Sequence, residues 1–218
     1  MLSFDLLPTD STPPRILCIG AHSDDIEIGC GGSMLHLLRT RPDATVLWAV
    51  FSAGSPRDEE ARASASQFLE DARDAEVYIE GFRGSFFPDQ WSEIKAFFEA
   101  ELKSFDPDLI FTHYRKDRHQ DHRVLSDLTW NTFRDHFVLE YEIPKYDGDL
   151  GQPNFYFPVA DDLADRKVNA LMTAFKSQHG RHWFTEDLFR GMMRVRGMET
   201  ASRYAEAFYM RKGLARVS

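Results

Sequence analysis

Over the first two thirds of the chain, short apolar runs alternate with segments whose apolar residues recur on a helical period. "RILCIGAH" (15–22) is rich in β-formers, is bounded by a glycine turn, and reads as a buried strand. "CGGSMLHLLRTR" then carries Met34, Leu35, Leu37 and Leu38 at helical spacing and is stopped by Pro42. "ATVLWAVFS" reads as a second strand. "SPRDEEARASASQFLEDARDA" reads as a helix with Ser55 at its N-cap, Pro56 at its first position and acids in its first turn. The alternation continues through the strand "EVYIEGF", the helix "SEIKAFFEAELKSF", the strand "DLIFTHY", a helix over about 122–137 and the strand "VLEYEIP". Beyond Pro144 it weakens. "KYDGDLGQPNFYFPV" reads as a loop with one strand, and helices are expected again over about 161–178 and 200–211.

Strands separated by helices of this length imply βαβ crossovers, so the expected fold is a three-layer, Rossmann-like α/β architecture on a mostly parallel sheet. With 218 residues and no linker, repeat or low-complexity segment, one domain over 1–218 is expected. Composition narrows the class. Hydrophobic residues make up 43% of the chain and include 18 phenylalanines, which suits a folded, aromatic-rich core. The formal net charge of −9 and the lack of a basic stripe argue against nucleic acid as a partner. Two cysteines, Cys18 and Cys30, make no disulfide framework, and Cys30 reads as a small residue packed under the first turn. The opening "MLSFDLLPTDSTPP" lacks the pattern of a secretory signal, and no apolar stretch approaches the roughly 18–20 residues of a membrane span. A cytoplasmic protein is expected, and a homo-oligomer is left open.

Two clusters carry chemistry. "GAHSDDIEIGCGG" (20–32) places His22, Asp24 and Asp25 where the first strand ends and its helix begins, the edge at which open parallel sheets gather ligands. Its glycines, spaced G-x-G-G, do not form the G-x-G-x-x-G fingerprint of dinucleotide binding, and two aspartates would repel a pyrophosphate. The second cluster, "HYRKDRHQDHR" (113–123), follows another strand. His119 and His122 lie three apart, on one face if a helix begins there, with Asp121 between them suited to hold an imidazole. Taken singly, each group has a plainer reading: an aspartate at a strand end is usually a helix cap, and a loop histidine is usually solvated. Two such clusters at strand ends of one sheet point instead to a metal hydrolase, and imidazole with carboxylate suits Zn²⁺ with three protein ligands and an open position.

"AHSDD" followed by "GCGG", and later "HQDH", resemble the PIG-L / LmbE-like family of zinc-dependent N-acetyl-sugar deacetylases, whose motifs are A-H-P-D-D and H-x-D-H. The likeness covers about the first 140 residues. It implies that His22, Asp25 and His122 hold Zn²⁺ and that Asp24 is the general base on the attacking water. It implies further that His119 is the charged partner of the oxyanion or the general acid, oriented by Asp121. The implied substrate is an N-acetyl amino sugar or sugar conjugate. Ser23 replaces the family's proline, and Asp117 stands where related enzymes often carry a tyrosine, so that tyrosine's role is not transferred. Arg57 and Glu60 resemble an R-x-x-E element on the substrate side, Arg57 being the expected substrate contact; the plainer alternative is a salt bridge along the helix. Alternatives to the deacetylase are a metal-dependent hydrolase of another amide or ester, and a carbohydrate-binding protein without turnover.

Overall fold

The computed structural model describes residues 12–214 together with Ser3, Leu6 and Leu7. The strands β1 (Arg15–His22), β2 (Thr45–Ser52) and β4 (Leu109–His113) are the near-continuous apolar runs, and the reason is burial on both faces. Along β1, Ile16 and Cys18 enter one core while Leu17, Ile19 and Ala21 enter the other; β2 repeats the division with Val46, Trp48 and Val50 against Leu47, Ala49 and Phe51. The helices α1 (Asp25–Thr40), α2 (Arg57–Phe68), α5 (Asp161–Ala174) and α6 (Glu186–Glu199) cover the first face, and α3 (Trp91–Phe97) with α4 (Gln120–Thr132) covers the second. This is the three-layer α/β arrangement that the alternation implies.

With β3 (Asp74–Ile79), β5 (Val138–Tyr141), β6 (Phe155–Val159) and β7 (Tyr204–Met210), the sheet order is β3-β2-β1-β4-β5-β7-β6. The first five strands in that order pair in parallel, and β7 runs antiparallel to both β5 and β6. The chain winds outward from β1 to β3, then returns to lay β4 on the other side of β1. The carboxyl ends of β1 and β4 therefore flank the switch point of the sheet, the edge at which open α/β sheets gather ligands. His22 ends β1 and His113 ends β4.

The C-terminal third differs from expectation. Residues 204–210 form β7 rather than a helix: "YAEAFYM" has helix-favouring residues, but it pairs on both sides, with β5 and with β6, and those ladders override local preference. The helix lies upstream instead, as α6, which buries Phe189, Met193 and Gly197 at four-residue spacing behind an N-cap at Thr185. The expected helix 161–178 is α5 followed by a short turn at Lys176–Gln178, and the helix placed at 122–137 runs from Gln120 to Thr132. α2 begins at Arg57, with Pro56 rather than Ser55 at its cap.

The glycine cluster also lies differently, inside α1 rather than in a turn before it. A Cβ on Gly29 would stand 2.2 Å from the ring of Tyr141, so glycine there lets α1 press against β5. At Gly32 a buried carboxylate intrudes: Glu206 of β7 accepts from the Gly32 and Ser33 amides and the Ser33 hydroxyl, each at 2.7 Å. Lys167 of α5 pairs with Glu206 at 2.6 Å and donates to the Ile28 carbonyl, tying α1, α5 and β7 together. Cys18 and Cys30 are buried free thiols.

Candidate metal centre and crevice

The turn between β1 and α1 folds Asp25 back on its own strand, where its Oδ2 accepts the His22 amide at 2.7 Å. The same oxygen lies 3.2 Å from His22 Nδ1 and 3.4 Å from His122 Nε2, and these two nitrogens are 3.3 Å apart. Three ligand atoms thus form a nearly equilateral triangle built from β1, the start of α1 and the first turn of α4. Tetrahedral ligands about 2.0–2.1 Å from a Zn²⁺ ion stand about 3.3–3.4 Å from one another, so the triangle has the size of one face of such a site.

Two wider groups overlap it, His22–His119–His122 and Asp25–His113–His122, each with ligand atoms within 4.8 Å. His113 is a poor ligand for a specific reason. Its Nε2 accepts the Ala21 amide at 2.9 Å, so the lone pair is already engaged. Burial, then the neighbouring His122, pushes its pKa down to about 4 and keeps it neutral. Its ring stacks on His122 with 3.9 Å between centroids, backing that ring of the triangle.

Each imidazole of the triangle is held through its far nitrogen by a carboxylate. His22 Nε2 lies 3.2 Å from Asp121 Oδ2, and Asp121 in turn accepts the Ser85 and Phe87 amides at 2.5 and 3.1 Å. His122 Nδ1 lies 3.0 Å from Asp117 Oδ2. These contacts place hydrogen on the far nitrogen and aim the other lone pair into the triangle. They also revise the expected role of Asp121: its carboxylate serves His22, not His119. His119 caps α4 instead, its Nδ1 accepting the Asp121 amide at 3.3 Å, which leaves the proton on Nε2. Its ring meets His22 edge-on at 4.8 Å. Asp117 and His113 stood inside the quoted motif without a role; the signal for both was position, an acid five residues before a candidate ligand histidine and a histidine closing a buried strand.

Asp24 stands at the N-cap position of α1 beside the triangle, buried and making no capping hydrogen bond through its side chain, with Arg57 Nη2 2.9 Å from its Oδ1. Arg57 thus meets Asp24 rather than Glu60, and Glu60 accepts the Ser177 amide and hydroxyl at 2.7 and 2.6 Å. The electrostatics fit a cation position. Burial pushes the His22 pKa down, but the Asp25 and Asp121 carboxylates outweigh it and raise it to about 10. Asp25 resists its own burial because the imidazoles of His122, His22 and His113 hold it well below the usual carboxylate range. Asp24 goes the other way: burial lifts it above its ordinary value despite Arg57. His119 is pressed down to about 4 by burial and by the charge of His122 and His22, so it is a neutral N–H donor.

A family model described as GlcNAc-PI de-N-acetylase, PIG-L, matches residues 17–133, which contain every group of the site described above except Ser177. Solved structures of similar fold include the conserved protein TT1542 from Thermus thermophilus, at 19% identity over 94% of this chain and 97% of that one, with a TM-score of 0.71. The N,N'-diacetylchitobiose deacetylase from Pyrococcus horikoshii matches at 20% identity over 95% and 87%, with a TM-score of 0.70. The 4-carboxy-2-hydroxymuconate hydratase of Pseudomonas putida shares the fold at 15% identity over 94% and 99%, with a TM-score of 0.68.

Proposed function

The chain belongs to the PIG-L family, and from that premise we propose that it is a Zn²⁺-dependent hydrolase that removes the N-acetyl group of an amino sugar or sugar conjugate and releases acetate. The observation that carries the reading is the triangle of His22 Nδ1, Asp25 Oδ2 and His122 Nε2, with sides of 3.2–3.4 Å and a buried carboxylate beside it. Two imidazoles and one carboxylate are the donor set of a catalytic zinc site. Bound there, the ion would supply Lewis acidity, making water easier to deprotonate and a carbonyl easier to attack.

The remaining steps fall to the chain. Asp24, lifted by burial and steadied by Arg57, takes a proton from the attacking water. Water oxygen bonds to the acetyl carbon, the carbonyl electrons move to oxygen, and His119 Nε2–H donates to that oxyanion. Collapse breaks the C–N bond, and Asp24 passes its proton to the departing amine. His119, neutral at pH 7, serves as oxyanion donor in this scheme rather than as general acid. Arg57, engaged by Asp24 yet partly open to solvent, touches substrate only from that position.

Acetate release from a panel of N-acetyl sugars, with and without a chelator, tests the reading. Chelator-sensitive release with about one zinc per chain supports it. Release from other amides or esters alone would move the substrate class, and sugar binding without release would make the protein a binder.

A further inference from the structure

We propose that Lys145 sets the metal affinity of the crevice by competing with the ligand His122 for a single carboxylate oxygen of Asp117. The proposal rests on the reading of the triangle as a metal centre. Asp117 is buried and fully used: Oδ1 accepts the His119 amide at 2.7 Å, while Oδ2 takes both His122 Nδ1 at 3.0 Å and Lys145 Nζ at 2.7 Å. The ammonium has two more acceptors, Asp149 Oδ2 at 2.8 Å and the Ile143 carbonyl at 3.2 Å, one for each of its protons.

A carboxylate that accepts from the far nitrogen of a ligating imidazole makes the near nitrogen a stronger donor. An ammonium on the same oxygen draws electron density away and adds a positive charge near the cation's position. Lys145 therefore acts as a brake on the site. It sits in the segment between β5 and β6, whose Tyr146 hydroxyl meets His182 Nδ1 at 3.0 Å, so the brake is carried by a loop rather than by the sheet. A group that draws Lys145 away would tighten the ion.

The sign of the effect separates this role from a structural one. If Lys145 merely supports the fold, removing it loosens His122 and weakens metal binding. If it competes for Asp117, removing it strengthens binding. The test is the zinc dissociation constant of the purified protein, measured by competition with a chromophoric chelator, alongside thermal melting. Lys145→Gln is prepared alone and with Asp149→Asn, which removes the second carboxylate that the ammonium neutralises; Lys145→Arg keeps the charge. Gln variants binding zinc about 10-fold more tightly, with Lys145→Arg near wild type and Asp117→Asn about 10–100-fold weaker, support the proposal. Unchanged or weaker binding in a Gln variant that melts like wild type overturns it. So does failure of both Gln variants to fold while Lys145→Arg folds, since Lys145 is then a structural counter-ion. A wild type that binds no zinc refutes the metal-centre reading itself, and is distinguishable from either result.

Discussion

Asp121→Asn discriminates between two assignments of one residue. The carboxylate receives three donors, His22 Nε2 and the amides of Ser85 and Phe87, and an asparagine has one oxygen to offer them. If its oxygen faces the buried Phe87 amide, its NH₂ faces His22 Nε2 and the Ser85 amide. His22 then avoids a clash of donors by moving its proton to Nδ1, the atom that faces Asp25 across 3.2 Å. That tautomer has no lone pair for a cation. If the amide turns over, the Phe87 N–H loses its acceptor instead, at about 1–3 kcal/mol. In the first orientation an orienting partner of His22 is lost, which is worth about 10–100-fold in metal affinity, or about 1.4–2.7 kcal/mol; in the second His22 keeps an acceptor and the cost falls on stability. Chelator competition measures the first quantity and denaturant unfolding the second. Zinc affinity and stability both unchanged, with turnover alone reduced, would refute this reasoning and return Asp121 to the service of His119.

Asp24→Asn keeps the triangle intact and should retain zinc while lowering kcat by about 10²–10⁴-fold, as read by acetate release and metal analysis. His119→Ala removes a neutral oxyanion donor and should cost amide and activated-ester substrates alike, about 10²–10³-fold in kcat/KM; a much larger loss on the amide would mark His119 as a general acid. Because the folded-state pKa of His22 is raised to about 10 in the metal-free site, its charge stabilises the fold fully below about pH 6.5. That contribution is lost as pH rises toward 10, so the melting temperature of chelator-treated protein should fall across this window, and bound zinc should suppress the fall. Gly29→Ala drives a methyl group to 2.2 Å from the Tyr141 ring, whose hydroxyl is pinned to the Ile19 carbonyl at 2.6 Å. A loss at or above the usual cost of overpacking, about 1–3 kcal/mol, is expected in denaturant unfolding, whereas Gly191→Ala, with open space at its Cβ, should be neutral or stabilising.

The parallel half of the fold was legible because burial on both sheet faces leaves an unbroken apolar signature, as in β1 and β2, and because Pro and Gly punctuate the helices between them. β7 was not. Its residues favour a helix in isolation, and only its place between β5 and β6 makes them a strand. The same strand delivers Glu206 to the Gly32 and Ser33 amides from the far end of the chain, a contact that no local pattern encodes.

The site divides along the same physical line. His22, Asp24 and Asp25 are consecutive or nearly so, and His122 lies in the first turn of the helix that follows the adjacent strand, so strand-end placement alone brings them to one edge of the sheet. What orients them depends on register. Asp121 is one residue from His122 yet reaches His22, because the first turn of α4 points its carboxylate across the switch point toward β1. Asp117, five residues away, reaches His122 because the β4–α4 loop doubles back on itself, with the Asp117 amide donating to the Tyr114 carbonyl at 3.0 Å. Neighbours in sequence are therefore a misleading guide to which carboxylate serves which imidazole: each histidine of the triangle takes its support from the acid that the turn geometry delivers. A one-residue insertion or deletion in the 114–119 loop should on this reasoning exchange or lose those partners while leaving His22 and Asp25 in place, weakening zinc binding, read by chelator competition, before it affects the sheet.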